Sequence, residues 1–225
     1  MEPAVLLEVL STTLRVATCA ALVAAPCGIA AGWWLSRKEF AGKSVVETLL
    51  ALPLVLPPVA VGYLLLALFA RDGWLGEDAL GFDPGVLFTW KGAVLASATM
   101  ALPLVARTAR AAFDAVDPRL ELMARTAGMS PWRVRLRVTL PLARRGLAAA
   151  CMLGFGRALG EFGATVVVAG NIPGRTQTIA LAIFGEIQLG RADAAMQLVA
   201  VVAALAFLLS WSVERLQGAP RRDTR

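Results

Sequence analysis

The 225-residue chain contains no histidine, which removes imidazole acid–base catalysis and histidine metal ligation together. Cysteine is scarce: Cys19, Cys27 and Cys151 each lie inside an apolar run, where a thiol is expected to serve as a small hydrophobe. No HExxH, CxxC pair or GxSxG element occurs, so zinc hydrolysis, thiol redox chemistry and serine acyl transfer have no residues to carry them. Gly42-Lys43-Ser44 imitates the end of a phosphate-binding loop, but the glycine needed five residues earlier is Arg37. Gly154, Gly156 and Gly160 are spaced GxGxxxG, which fails the dinucleotide pattern. The chain is therefore expected to be no enzyme, to hold no metal or cofactor, and to borrow any ATP chemistry. A cleavable signal peptide is not expected either, since the first apolar stretch is too long and has no basic segment before it.

What the chain has instead is apolar length. Its residues are 58% hydrophobic and its mean hydropathy is +0.68, which points to an all-α, polytopic membrane helix bundle forming one domain. The net charge of +6 lies in the loops, as membrane topology demands, and gives no case for nucleic acid. Runs long enough to cross the hydrocarbon core predict five spans: Val16 to Ser36, Leu49 to Ala70, about Val86 to Ala106, about Gly146 to Ile172, and Ala194 to Val213. Lys91 falls inside the third and can snorkel to the interface. The domain is expected to occupy residues 1–225, with a core over about 11–213 and a short basic tail over 214–225.

Charge orients the spans. Loop 36–44 carries Arg37, Lys38 and Lys43, and the stretch from Arg107 to Arg145 carries nine arginines against Asp114, Asp117 and Glu121. The tail adds Arg215, Arg221, Arg222 and Arg225, whereas loop 71–85 is acidic. The positive-inside bias makes the basic set cytoplasmic, the N-terminus external and the C-terminus cytoplasmic.

Several residues stand out against this background. Arg157 and Glu161, four apart within the fourth span, can pair on one helix face; a charge at membrane depth costs roughly 2.5–3.5 kcal/mol on insertion scales. Pro53, Pro57 and Pro58 break backbone hydrogen bonds in the second span. Gly28–Gly32 and Gly156–Gly160 have the GxxxG spacing that lets helices approach closely. Arg157, Glu161, Pro57, Pro58, Gly160 and Gly163 are accordingly the pathway or gate candidates. In the turn-rich outer connection 170–178, Asn171, Arg175 and Thr176 are candidates for external contact with an anionic group or a delivery protein.

The most informative segment is polar and arginine-rich, from Phe113 to Pro141. Asp117-Pro118 is a helix start, and Leu120, Met123, Ala124 and Ala127 then recur with helical spacing as one apolar stripe. Gly128 is a stop signal and Ser130-Pro131 a second start. From Arg133, RVRLRVTL alternates like a strand, but Arg133 and Arg137 also have helical spacing, and a lone strand would leave its edges unpaired; helix is expected. A capped helix with an exposed apolar face outside the membrane is a docking surface.

This segment resembles the EAA loop of type I ABC importer permeases, whose pattern is EAA, three residues, Gly, nine residues, Ile, any residue, Leu-Pro. Gly128, Val138, Leu140 and Pro141 fall at that spacing; the triplet falls on Leu122, Met123 and Ala124, retaining only the alanine, with Glu121 one position early. Residues 52–66, 117–146 and 157–184 resemble the molybdate permeases of that family more closely than the superfamily at large. The resemblance implies a homodimer in the bacterial inner membrane, among lipid, with two cytoplasmic ATP-binding cassette subunits that bind the ATP, and an external molybdate-binding protein. Tungstate or sulfate are the alternative cargoes. It places the ATPase-coupling helix at Leu120, Glu121, Met123, Ala124, Ala127 and Gly128, with Val138, Leu140 and Pro141 completing the motif. A stand-alone secondary anion transporter fits less well, because the five spans show no inverted halves.

Overall fold

The computed structural model describes residues 2–217, and these contain helices and no strand. Of the expected basic tail, residues 214–217 continue the last helix, and the arginines at 221, 222 and 225 lie outside the described residues. Helix α1 (Pro3–Arg37) starts with proline at its first position. It is followed by α2 (Lys43–Val55), α3 (Pro58–Phe69) and the short α4 (Glu77–Leu80). Then come α5 (Trp90–Asp114), α6 (Pro118–Thr126), α7 (Pro131–Val134), a π-helical turn at Arg135–Thr139, and α8 (Leu140–Leu159). The chain ends through α9 (Gly163–Ala169), α10 (Ile179–Gln188) and α11 (Ala192–Gln217).

Among the described residues, four helical stretches are long and apolar enough to cross a membrane: Pro3–Arg37, Trp90–Asp114, Pro131–Leu159 and Ala192–Arg215. The second expected span differs. It is not one kinked helix but α2 and α3 bent by 108° at Leu56-Pro57. Pro57 cannot donate an N–H and, with Pro58, prevents the helix from continuing. The fourth span also differs, for its helix stops at Leu159 and resumes at Gly163 instead of running to Ile172. Between the fourth and fifth spans, where the sequence predicts only a connection, the structure has the apolar helix α10.

The core is built from small side chains. Ala17, Ala20 and Ala24 of α1 meet Ala98, Ala101, Val105 and Ala109 of α5, and Ala143, Ala150 and Ala158 of α8 close the cluster. In lipid, apolar area alone does not drive helices together, so close backbone approach and dispersion must do so. Gly28 and Gly32 let α1 lie close against α5: a Cβ on Gly32 would stand 2.7 Å from the Ala106 carbonyl oxygen and 2.8 Å from the Arg110 nitrogen. The second glycine pair is split. Gly156 packs on Leu209 of α11, whereas Gly160 faces open space, with only the Gly156 oxygen, 3.9 Å away, near its added Cβ.

Helices α1 and α5 run in the same direction, since Ser36 donates to Asp114 at 2.5 Å and Arg37 reaches the Phe113 carbonyl at 3.3 Å. Loop 36–44 and segment 113–141 therefore share one face, as the charge distribution required.

Gly32→Val should force α1 off α5 and cost about 1–3 kcal/mol, as overpacking generally does. The check is thermal unfolding in detergent. A lowered midpoint is expected for Gly32→Val, and an unchanged one for Gly160→Ala, where space is open.

Candidate functional site

Segment 113–141 folds as its caps dictate. The Asp117 carboxylate accepts from the Arg119 N–H at 2.9 Å and Pro118 occupies the first position of α6. Gly128 adopts φ 86°, the left-handed stop that a β-carbon disfavours. The Ser130 hydroxyl accepts from Arg133 N at 3.4 Å, opening α7. The RVRLRVTL stretch is helical, and its period is disturbed because the turn at Arg135–Thr139 is widened: Leu140 N–H reaches back to the Arg135 carbonyl. The widened turn immediately precedes Pro141, whose ring would otherwise crowd the carbonyl four residues earlier, at Arg137.

The expected stripe on α6 is divided. Leu120 is 43% exposed and Met123 66%, with Leu122 beside them at 63%; Ala127 is also exposed. Ala124 turns inward and is buried. Glu121 also faces inward. Its Oε1 accepts from Arg37 Nη2 at 2.6 Å and from the Thr139 hydroxyl at 2.8 Å. One carboxylate thus ties α6 to the end of α1 and to the start of α8. Charge-assisted bonds of this kind are about twice as strong as neutral ones. Val138, Leu140 and Pro141 belong to the junction leading into α8, not to the exposed face of α6.

The pathway candidates converge where the two interrupted spans meet. A Cβ on Gly163 would stand 2.8 Å from Pro58 Cβ, and one on Gly62 would stand 2.8 Å from the Ala164 oxygen. The break between α2 and α3 is therefore packed against the start of α9. Pro57 and Pro58 keep an exposed side, and Gly160 is exposed at the end of α8. Arg157 and Glu161 do pair, Nη1 to Oε2 at 2.6 Å, although Glu161 lies beyond the helix end. The other carboxylate oxygen accepts the Ala164 N–H at 2.8 Å. Glu161 is buried, its side chain 1% exposed against 26% for Arg157. It thus holds α8 and α9 together across Gly160–Phe162, supplying partners that the interrupted backbone cannot take from lipid.

In the outer connection the structure corrects one expectation. Thr176 is fully buried and is not an external contact; its hydroxyl accepts from Ile172 N at 3.1 Å and donates to the Gly170 oxygen at 3.3 Å, closing the loop on itself. Asn171 is exposed, but its amide is engaged, donating to Leu181 O at 3.4 Å and accepting from Gln177 at 3.0 Å. Arg175 is exposed. The sequence reading missed Arg37 and Thr139 as partners of Glu121, and Thr13, whose hydroxyl accepts the Ile179 N–H at 2.8 Å. Their partners stand up to 166 residues away, and no local pattern marks such links.

Glu161→Ala should cost about 3–5 kcal/mol, because it strands the Arg157 charge near membrane depth. Glu161→Ala combined with Arg157→Met should recover most of that loss. Unfolding midpoints of the single and double variants in detergent decide the matter; equal midpoints for both would show that the pair does not hold α8 to α9.

Residues 24–222 match the family described as binding-protein-dependent transport system inner membrane component. The molybdenum transport system permease protein ModB of Haemophilus influenzae is 43% identical over 219 residues, 94% of this chain and 95% of that protein. The protein of the same name from Escherichia coli K12 is 45% identical over 198 residues, 87% of this chain and 86% of its own length. The fold is shared with a solved bacterial ABC transporter involved in the import of the acidic polysaccharide alginate: the TM-score is 0.77 at 19% identity, covering 100% of this chain and 82% of that one. By that match over most of its length, the chain belongs to the family of binding-protein-dependent transport system inner membrane components.

Proposed function

We propose that this chain is the membrane-spanning permease subunit of an ATP-binding-cassette importer that carries molybdate across the cytoplasmic membrane. The cargo rests on one observation, the 43% identity to a molybdenum transport permease over 94% of the chain. The geometry supports how such a subunit would be driven. The chain has no phosphate loop, yet α6 offers Leu120, Leu122 and Met123 to a partner on the same face as the basic loop 36–44. On this reading that face is cytoplasmic, the N-terminus is external, and two ATPase subunits receive α6 from each half of a permease homodimer. An external binding protein delivers the oxyanion to the opposite face.

Force applied to α6 has two outlets. Through Glu121 it reaches Arg37 at the end of α1, and through Thr139 it reaches the π-helical turn and α8. Helix α8 ends at the Arg157–Glu161 pair and the α9 contact with Pro58. Closure of the cassettes would shift α8 against the α2–α3 break and so alternate the pathway. Such coupling requires only that α6 prefer different positions in the two cassette states.

Met123→Asp places a charge in the proposed groove contact and should abolish co-purification of the ATPase subunits while the permease still inserts. Intact co-purification would remove α6 as the docking element. Glu121→Ala should leave the exposed face and assembly intact but uncouple ATP hydrolysis from uptake, lowering uptake about tenfold or more per ATP hydrolysed if coupling falls by about 1.4 kcal/mol. Parallel measurement of ATPase rate and uptake in vesicles reads that ratio.

A further inference from the structure

Helix α1 is longer than a membrane is thick, and its middle carries a charge. Arg15 lies about 33 Å along the helix from Arg37 at 1.5 Å per residue. That distance matches a hydrocarbon core of about 30 Å, so Arg15 stands at the membrane boundary opposite the docking face. Two other chain segments bring cations to the same place. Lys91 is in the first turn of α5, and Arg175 is at the tip of the loop between α9 and α10. Arg15, Lys91 and Arg175, with Trp90, Thr89 and Gly174, line one pocket of about 340 Å³.

The pocket is electrostatically incomplete. Arg15 stacks over the Trp90 ring at 4.0 Å, a contact that orients its guanidinium without neutralising its charge. None of the three cations forms an ion pair among the described residues. The lining itself holds no carboxylate, although two stand against lining glycines: Glu8 Oε1 would lie 2.9 Å from a Cβ on Gly174, and Asp83 accepts the Gly85 N–H at 2.8 Å. Three cations from three segments repel one another at the edge of a low-dielectric layer, and a bound multivalent anion removes that repulsion. The cavity is too small for a protein side and ample for a tetrahedral oxyanion with part of its hydration.

We infer that Arg15, Lys91 and Arg175 form an oxyanion-binding site at the outer mouth of the permease, with Trp90 orienting Arg15. The inference rests on the permease reading for the identity of the free anion, since molybdate entering from the external face would meet this pocket first. The same tetrahedral chemistry is offered by a lipid headgroup phosphate, the second possible source. Planar guanidinium groups suit such oxygens through paired N–H bonds, and Lys91 adds a mobile point charge.

The test uses the full-length permease in lipid nanodiscs, without ATP or external binding protein. One set is made of phosphatidylcholine and one contains phosphatidylglycerol; radiolabelled molybdate and sulfate are the probes. The wild type should bind molybdate, and Arg15→Gln/Lys91→Gln/Arg175→Gln should bind it about tenfold or more weakly. Arg15→Lys/Arg175→Lys, which keeps the charge, should retain part of the affinity. Wild-type protein that ignores both probes but retains phosphatidylglycerol, lost in the triple variant, assigns the same site to lipid phosphate. Equal binding of probes and lipid by wild type and triple variant overturns the site, as does absence of both from the wild type. The exposed single changes Lys91→Gln and Arg175→Gln keep the test valid if the triple variant does not fold. ATP-driven uptake by the wild-type complex is measured separately: its absence sinks the permease reading, whereas unchanged binding in the variants sinks only the site.

Discussion

At membrane depth a backbone break or a charge has no water to turn to, and this constraint organises the whole chain. Proteins tolerate irregular backbone in that layer only where other protein groups satisfy it or where a cavity does. This chain breaks its helices twice within apolar segments, at Leu56-Pro57 and at Gly160–Phe162, and brings the two breaks together through Pro58 and Gly163. Glu161 makes the second break possible, since one carboxylate serves both the Arg157 guanidinium and the Ala164 N–H. Elsewhere the bundle is uniform, a tight alanine and glycine seam between α1, α5 and α8.

The second organising element is at the opposite end of α8. Glu121 closes a small polar cluster in which α1, α6 and the π-helical turn meet. With that carboxylate committed to the interior, α6 exposes Leu120, Leu122 and Met123 flanked by Arg119 and Arg125. The widened turn before Pro141 is the structural counterpart of this arrangement. It lets Pro141 sit in a helix that runs on from α7 into α8.

Much of this was legible in the residues. Asp117-Pro118, Gly128 and Ser130-Pro131 announced the helix ends where they occur, because capping is local chemistry. The common side of the two basic loops followed from charge alone. The prolines marked the second span as irregular, but the 108° bend depends on packing against α9, which no local pattern reveals. The Arg157–Glu161 spacing suggests a pair on one helix; the pair exists, yet across a helix end, because α8 stops at Leu159, before Glu161. Thr176 looked like an outer ligand by composition and proved to be a loop staple, a role set by hydrogen bonds to Ile172 and Gly170. The pairing of Glu121 with Arg37 spans 84 residues and was invisible for that reason.

The account turns on a permease that moves an oxyanion only when separate ATPase subunits push on α6. Its most direct test is uptake into sealed vesicles holding the permease, its ATPase subunits and the external binding protein. Radiolabelled molybdate would be supplied outside, with tungstate and sulfate as competitors and ATP inside or omitted. The account predicts molybdate accumulation that depends on ATP and on the ATPase subunits, and that excess sulfate displaces less well than molybdate does. Accumulation that persists without ATP, or with the permease alone, would contradict it.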